Sequence, residues 1–149
     1  MSKTLEERIQ RLEDIEAIKD VTARYSFNIN KGWNGKEVNP GAFTAIFDND
    51  AVWEAKMMNT KATSLKQIMN GLLPATENVE FSMHTFTNPV IEIVENTASG
   101  NWLFWIATRH KSEVPNEIFM SADITYTRTI KGWLIKTFNL YYGMRLLNP

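Results

Sequence analysis

The chain contains no cysteine, which excludes disulfides, thiolate nucleophiles and cysteine-ligated metal and leaves packing as the source of stability. It also has almost no net charge. Sixteen basic residues against seventeen acidic ones give a formal charge of −1, so no global field draws it to nucleic acid or to an anionic membrane. No run approaches the roughly 18 apolar residues of a membrane span, and the N-terminal Met-Ser-Lys-Thr-Leu-Glu-Glu-Arg is charged where a secretory leader is apolar. The expectation is a cytoplasmic protein with neither nucleic-acid nor membrane partners. No Ser or Lys lies in a nucleophile elbow, a phosphate-binding loop or a dinucleotide fingerprint, and the two histidines match no metal-binding spacing. No cofactor and no metal are expected.

What remains is a globular composition: 149 residues, 44% hydrophobic and 11% aromatic, enough for one domain over 1–149 with a single core. From Leu5 onward Ile9, Leu12, Ile15, Ile18, Thr22 and Tyr25 recur at helical spacing. Thr4 with Glu7 is a capping box for the start of this helix, and Asn30-Lys-Gly32 is a stop. A loop at 33–41 precedes a short second helix carrying Phe43, Ile46 and Phe47, which Asp48-Asn-Asp50 ends. A strand follows over 51–57. A third helix opens at Ser64 and ends just before Pro74. The second half turns to β-branched and aromatic residues, giving strands at 79–85, 89–95, 101–110, 118–129 and 133–142, with hairpin turns at 96–100 and 131–132. This is an α+β chain with three N-terminal helices packed on a mostly antiparallel sheet. Both parities of 101–110 are largely apolar, so helices cover one sheet face and a second subunit is the economical cover for the other.

Few residues offer chemistry. His84, at a strand end, has an unperturbed pKa of about 6.5 that suits proton transfer; the alternative is a histidine satisfied within the core. Tyr25 lies on the apolar helical stripe, where a buried phenol either donates a proton or simply packs. Asn30, at the helix end, caps the terminus or orients a ligand. His110 closes a strand, and Asp123 lies within a strand whose polar parity faces either solvent or a cavity.

Taken in order, Asp14-Ile-Glu-Ala-Ile-Lys19, Ala23-Arg-Tyr25 and Phe47-Asp-Asn-Asp50-Ala-Val-Trp53 resemble the SnoaL-like branch of the NTF2-like superfamily. Met83-His84, Thr87-Asn88-Pro89-Val-Ile-Glu92, Asn96-Thr-Ala-Ser-Gly100-Asn-Trp102, Tyr126 and Gly132-Trp133 continue the resemblance. It implies a cone-shaped barrel with one deep, mostly apolar pocket and dimers or trimers through the outer sheet face. The pocket would be lined by Tyr25, Trp53, Met57, His84, Phe104, Ile106, Thr108 and Tyr126, with Asn30, His110 and Asp123 as further ligand contacts. Members similar to scytalone dehydratase and the bile acid 7α-dehydratase use a pocket His and Tyr for acid–base elimination, and His84 and Tyr25 occupy the matching positions.

The family carboxylates are replaced here by Asn30 and Ile106, neither of which is expected to hold the His84 tautomer or stabilise its imidazolium. The resemblance therefore implies one of two functions. One is a cofactor-independent lyase or isomerase, dehydratase- or cyclase-like, acting on a small apolar cyclic metabolite. The other is a non-catalytic binding protein using the same pocket. With desolvation unopposed by a carboxylate, the pKa of His84 should fall below its reference value.

Overall fold

The computed structural model describes residues 3–147. Thr4 opens α1 (Leu5–Ile29) with the anticipated capping box: its hydroxyl accepts from the Glu7 N–H at 3.2 Å, and the Glu7 carboxylate accepts from the Thr4 N–H at 2.8 Å. In its first turns Leu5, Ile9 and Leu12 are exposed. Burial begins at Asp14 and runs through Ile18, Val21, Thr22, Tyr25, Asn28 and Ile29.

After α1 the chain makes a 3-10 helix (Pro40–Ala45), then β1 (Phe47–Ala55), β2 (Thr60–Ala62) and α2 (Leu65–Ala75). The expectation of three N-terminal helices is corrected here. The middle one is a 3-10 turn, and the last follows two strands, because Phe47 to Ala55 alternates inward and outward from its first residue. Pro74, expected just past the end of this helix, sits inside the last turn of α2, where its missing N–H costs only the bond to the Asn70 carbonyl.

Four long strands complete the chain: β3 (Val79–Val94), β4 (Thr97–His110), β5 (Asn116–Thr129) and β6 (Gly132–Leu147). The six-stranded sheet has the order β2-β1-β6-β5-β4-β3, antiparallel throughout except for the parallel β1–β6 pair. The segments 79–85 and 89–95, expected as two strands, are one strand. Asn88 adopts φ 48°, and the register with β4 shifts between Thr87 and Val90, so a β-bulge absorbs the polar interruption without ending the strand. The β3–β4 turn is the two-residue Glu95-Asn96, tighter than the expected 96–100, since Thr97 to Gly100 pair with Val94 to Ile91.

One face of the sheet carries Trp102, Phe104, Ala122, Ile124, Tyr126, Ile135 and Phe138, and all of these are buried in the core shared with α1 and α2. The other face alternates out of register with them. It is apolar toward one end, where Leu103, Tyr141, Met144 and Leu146 are exposed beside Trp105 and Phe119, whose rings lie 6.4 Å apart.

Polar anchors fix α1 across the sheet. The Asp14 carboxylate accepts from Arg128 Nη2 at 2.6 Å, from Trp133 Nε1 at 3.0 Å and from Gln10 Nε2 at 3.2 Å. Further along, Trp102 Nε1 donates to the Tyr126 hydroxyl at 3.0 Å. Tyr126 meets Thr22 Oγ1 at 2.7 Å, and Thr22 donates to the Ile18 carbonyl at 2.8 Å. Thr22 has one proton and spends it on Ile18, so Tyr126 must donate to Thr22 and every member of the chain is satisfied. Gly100 makes room for it, since a Cβ there would lie 2.7 Å from Trp102 Nε1 and 3.2 Å from the Tyr126 ring. Among the described residues no helix is long and apolar enough to cross a membrane.

Burial pushes the Asp14 carboxyl up, but its bonds to Arg128, Trp133 and Gln10 outweigh that and leave it below the usual carboxylate range. The ionised form therefore stabilises the fold above about pH 4, and this contribution is lost as acid protonates the group. Asp14→Ala should cost about 2–3 kcal/mol in urea unfolding at pH 7, at or below the low end for a broken buried pair because Arg128 keeps partial hydration. The deficit should shrink below about pH 3, and a pH-independent deficit would show that packing alone carries the effect.

Candidate active site

The C-terminus of α1 meets the start of β3 through one side chain. Asn30 ends the helix in an extended conformation, and its Oδ1 accepts from the His84 backbone N–H at 2.8 Å and lies 2.9 Å from His84 Nδ1. A backbone N–H can only donate, so the atom facing it is the amide oxygen. Nδ1 must then carry the ring proton, which leaves Nε2 as an unprotonated acceptor. The expectation that Asn30 is unable to hold the tautomer is thus corrected: an amide oxygen does so as well as a carboxylate. What Asn30 lacks is the charge to stabilise an imidazolium.

The following loop is tied down beside this pair. Lys31 bridges Ser82, Trp33 Nε1 donates to the Ser82 carbonyl at 3.1 Å, and the Trp33 and Phe81 rings lie 5.0 Å apart. Gly32 permits the approach. Its φ is 85°, and a Cβ there would fall 2.2 Å from the Glu80 carbonyl oxygen.

His84 is half-buried. The Phe104 ring stacks near it at 6.1 Å, and Tyr25 lies edge-on at 6.3 Å. Desolvation, with no charged neighbour to oppose it, pushes its pKa down to about 4. Tyr25 is packed against Phe43, Phe47, Phe86 and Phe138. Burial raises its pKa so that the phenol stays protonated, the Trp53 N–H beside it acting weakly in the other direction. That indole N–H completes no hydrogen bond and is an orphan buried donor, as Asn116 Oδ1 is an orphan buried acceptor.

A groove of about 650 Å³ opens at His84 and runs between α1 and β3, which is an edge strand. Lys19, Ala23, Ser26, Phe27 and Asn30 form its helical wall, the segment from His84 to Pro89 the other wall, and Trp102 part of its floor. Of the residues proposed from sequence, His84 and Asn30 line it. Tyr25 packs directly against the His84 ring, with Phe104 on another side. Trp53 and Tyr126 are core residues at 7% and 1% exposure. Ile106 and Thr108 are half-buried on the inner sheet face, opposite His84 and Ser82, and His110 ends that strand opposite Val79. Met57 is 40% exposed in a 3-10 turn. Asp123 lies on the outer face, accepting from Asn101; neither it nor Met57 approaches His84, because the parity of β5 and the end of β1 turn them away.

Lys19, Ala23, Ser26, Phe27, Thr87, Asn88 and Trp102 were not anticipated as lining. A signal existed: Lys19, Ala23, Ser26 and Asn30 repeat at helical spacing beside the apolar stripe, and Asn88-Pro89 interrupts a strand.

Residues 10–139 match the model of the SnoaL-like domain family, and the chain belongs to that family. Solved structures agree on the fold. A candidate scytalone dehydratase from Novosphingobium aromaticivorans is 20% identical with a TM-score of 0.79, over 93% of this chain and 90% of that one. The hexachlorocyclohexane dehydrochlorinase LinA-type3 of Novosphingobium barchaimii is 14% identical with a TM-score of 0.80, over 95% and 94%. An NTF2-like superfamily protein of Salmonella enterica is 12% identical with a TM-score of 0.74, over 87% and 90%. The α+β fold with one six-stranded sheet is thus NTF2-like. No curated protein sequence matches the chain.

Two variants test the Asn30–His84 pair by NMR of the imidazole nitrogens. Asn30→Asp places a negative charge on the Nδ1 side and should raise the His84 pKa by about 1–3 units. Asn30→Ala should abolish the preference for the Nδ1–H tautomer. An unchanged tautomer in the alanine variant would mean that another group sets the ring.

Proposed function

We propose that this protein is a cofactor-independent lyase or isomerase acting on a small, largely apolar cyclic metabolite. His84 is the proton acceptor and the protonated Tyr25 phenol the companion acid. The observation that carries this reading is the Asn30–His84 geometry, which presents a neutral imidazole with its Nε2 lone pair uncommitted at the head of a groove. A polar group held in one tautomer inside an apolar site is what general acid–base catalysis requires. A base as weak as this suits a proton that is already acidified by the substrate or that passes on to a leaving group in the same step. Dehydrations and isomerisations beside a carbonyl have that character. The dehydratase and dehydrochlorinase among the structural relatives support the same class.

The second reading, a non-catalytic binding protein, is favoured by the missing carboxylate. Turnover separates the two. Incubation with a panel of hydroxy-ketones and polyketide-like compounds, followed by mass spectrometry, should yield a dehydrated or isomerised product. His84→Ala should lower the rate by about 10²- to 10⁴-fold, and Tyr25→Phe should lower it while leaving binding intact. Turnover that survives both substitutions overturns the mechanism, whereas tight binding without turnover selects the binding protein.

The pH profile follows from the same group. Because His84 titrates at about 4, kcat/KM should stay level from pH 8 down to about 5 and fall as the imidazole protonates below that. The folded state binds this proton more weakly than the unfolded chain, so stability should also decline on acidification through the range from about 6.5 to 4. A midpoint near 6.5 or above would indicate an acidic partner to the ring.

For assembly we propose a homo-oligomer in which a second copy covers the apolar end of the outer sheet face around Leu103, Trp105, Phe119 and Met144. Light scattering should give a dimer or trimer, and Leu103→Glu should shift it toward monomer.

A further inference from the structure

The groove between α1 and β3 carries its amide, imidazole and ammonium groups at its two ends and has an aromatic floor between them. Its floor offers a ligand no free hydrogen-bond donor, although it contains Trp102 and Thr22. The indole N–H is committed to Tyr126, and the Thr22 hydroxyl both receives from Tyr126 and donates to Ile18. Phe86, whose ring meets that of Trp102 edge-on at 6.0 Å, and Phe27, 65% exposed on the helical wall, add aromatic surface. The middle therefore offers a flat aromatic floor, with the Ser26, Thr85 and Thr87 hydroxyls confined to its walls.

The ends differ in sign. At one end His84 Nε2, with Nδ1 protonated toward Asn30, is a hydrogen-bond acceptor. At the other end stand two donors, the Lys19 ammonium and the Asn88 amide. Lys19 is held 2.7 Å from Glu16, but both side chains are well exposed, at 44% and 72%. Such a pair is worth little and yields readily to an anion held beside apolar surface. Asn88 occupies the β3 bulge at φ 48°, in the left-handed region that asparagine tolerates. The four-residue step from His84 to Asn88 spans about 13 Å of strand, and α1 from Asn30 back to Lys19 covers about 16 Å.

We infer that the groove takes a rigid, elongated aromatic carboxylate bearing a hydroxyl at the end opposite its carboxylate. The hydroxyl donates to His84 Nε2, and the carboxylate lies against Lys19 and Asn88. This rests on the reading of His84 as the working residue and adds to it an orientation, with the hydroxyl-bearing end of the molecule at the reacting imidazole and Lys19 setting specificity from the far end.

The test is calorimetric binding of the full chain to three probes. These are 4′-hydroxybiphenyl-4-carboxylate, biphenyl-4-carboxylate without the hydroxyl, and 4-hydroxybiphenyl without the carboxylate. Removing either polar group should weaken binding about 5- to 10-fold, the equivalent of one hydrogen bond or partly exposed ion contact. Lys19→Ala, a surface substitution that leaves the core untouched, should erase the preference for the carboxylate and keep the preference for the hydroxyl. His84→Phe, which retains an aromatic ring at that position, should do the reverse. Equal affinities for the three probes, a carboxylate preference that persists in Lys19→Ala, or no binding at millimolar concentration would each overturn the assignment. The outcome is separable from that of the catalytic reading. Probes that bind with these preferences, while no compound is ever turned over, leave the ligand class standing and remove the acid–base chemistry. Turnover of compact neutral substrates that depends on His84 and is unaffected by Lys19→Ala does the opposite.

Discussion

One oxygen atom organises the working end of this molecule. Asn30 Oδ1 receives two N–H groups from the same residue, one from the backbone and one from the ring of His84. The backbone bond fastens the end of α1 to β3, and the ring bond settles which imidazole nitrogen is free. A carboxylate at position 30 would do both and add a charge. The amide does both without it, so the imidazole is positioned like a catalytic base yet stays neutral and weakly basic, with desolvation unopposed. The orientation and the basicity of His84 are therefore set by separate physical causes, although both act at one contact.

The interior behind that contact is closed by saturating its polar groups. Tyr126 lies deep in the core at 1% exposure and is tolerable there because its hydroxyl is both donor and acceptor in a chain running from Trp102 to the Ile18 carbonyl. The same chain leaves the groove floor without a free donor, since the Trp102 N–H and the Thr22 proton are both committed. The stability device therefore also removes the donors of the floor from the surface of the groove. Asp14 plays the matching role at the start of the buried helical stripe, where three donors hold an ionised carboxylate that would otherwise be costly to bury.

Membership of the SnoaL-like family settles the scaffold, and relatives of 12–20% identity share that scaffold at TM-scores of 0.74–0.80. Function lives in the residues that the scaffold brings together. Here the candidates are a neutral Asn–His pair, a buried phenol beside it, and an open edge-strand groove with a lysine at its far end.

Much of the fold was legible in the residue order because its signals are local. The capping box of Thr4 and Glu7, the Ser64 cap of α2, the hairpin ahead of Gly132 and the alternation of β4 and β5 each depend on residues a few positions apart, and the structure places those elements where the patterns indicate. The core face of β4 did not follow from parity, because both of its parities are largely apolar. The lining of the candidate groove was legible only as far as His84 and Asn30, with Tyr25 packed behind them. Nothing local distinguishes a buried Trp53 or Tyr126 from a pocket wall, and nothing local shows that Asn88 ends no strand but bends one. Those outcomes depend on contacts across 54 residues between Asn30 and His84 and across 104 between Thr22 and Tyr126. Such contacts exist only once α1 has been laid across the finished sheet, so the residue order by itself determined most of the elements but not which face of each strand is buried. The tautomer of His84, the silent floor and the groove along β3 were decided by tertiary packing, because each is a property of a pair of surfaces and not of a segment.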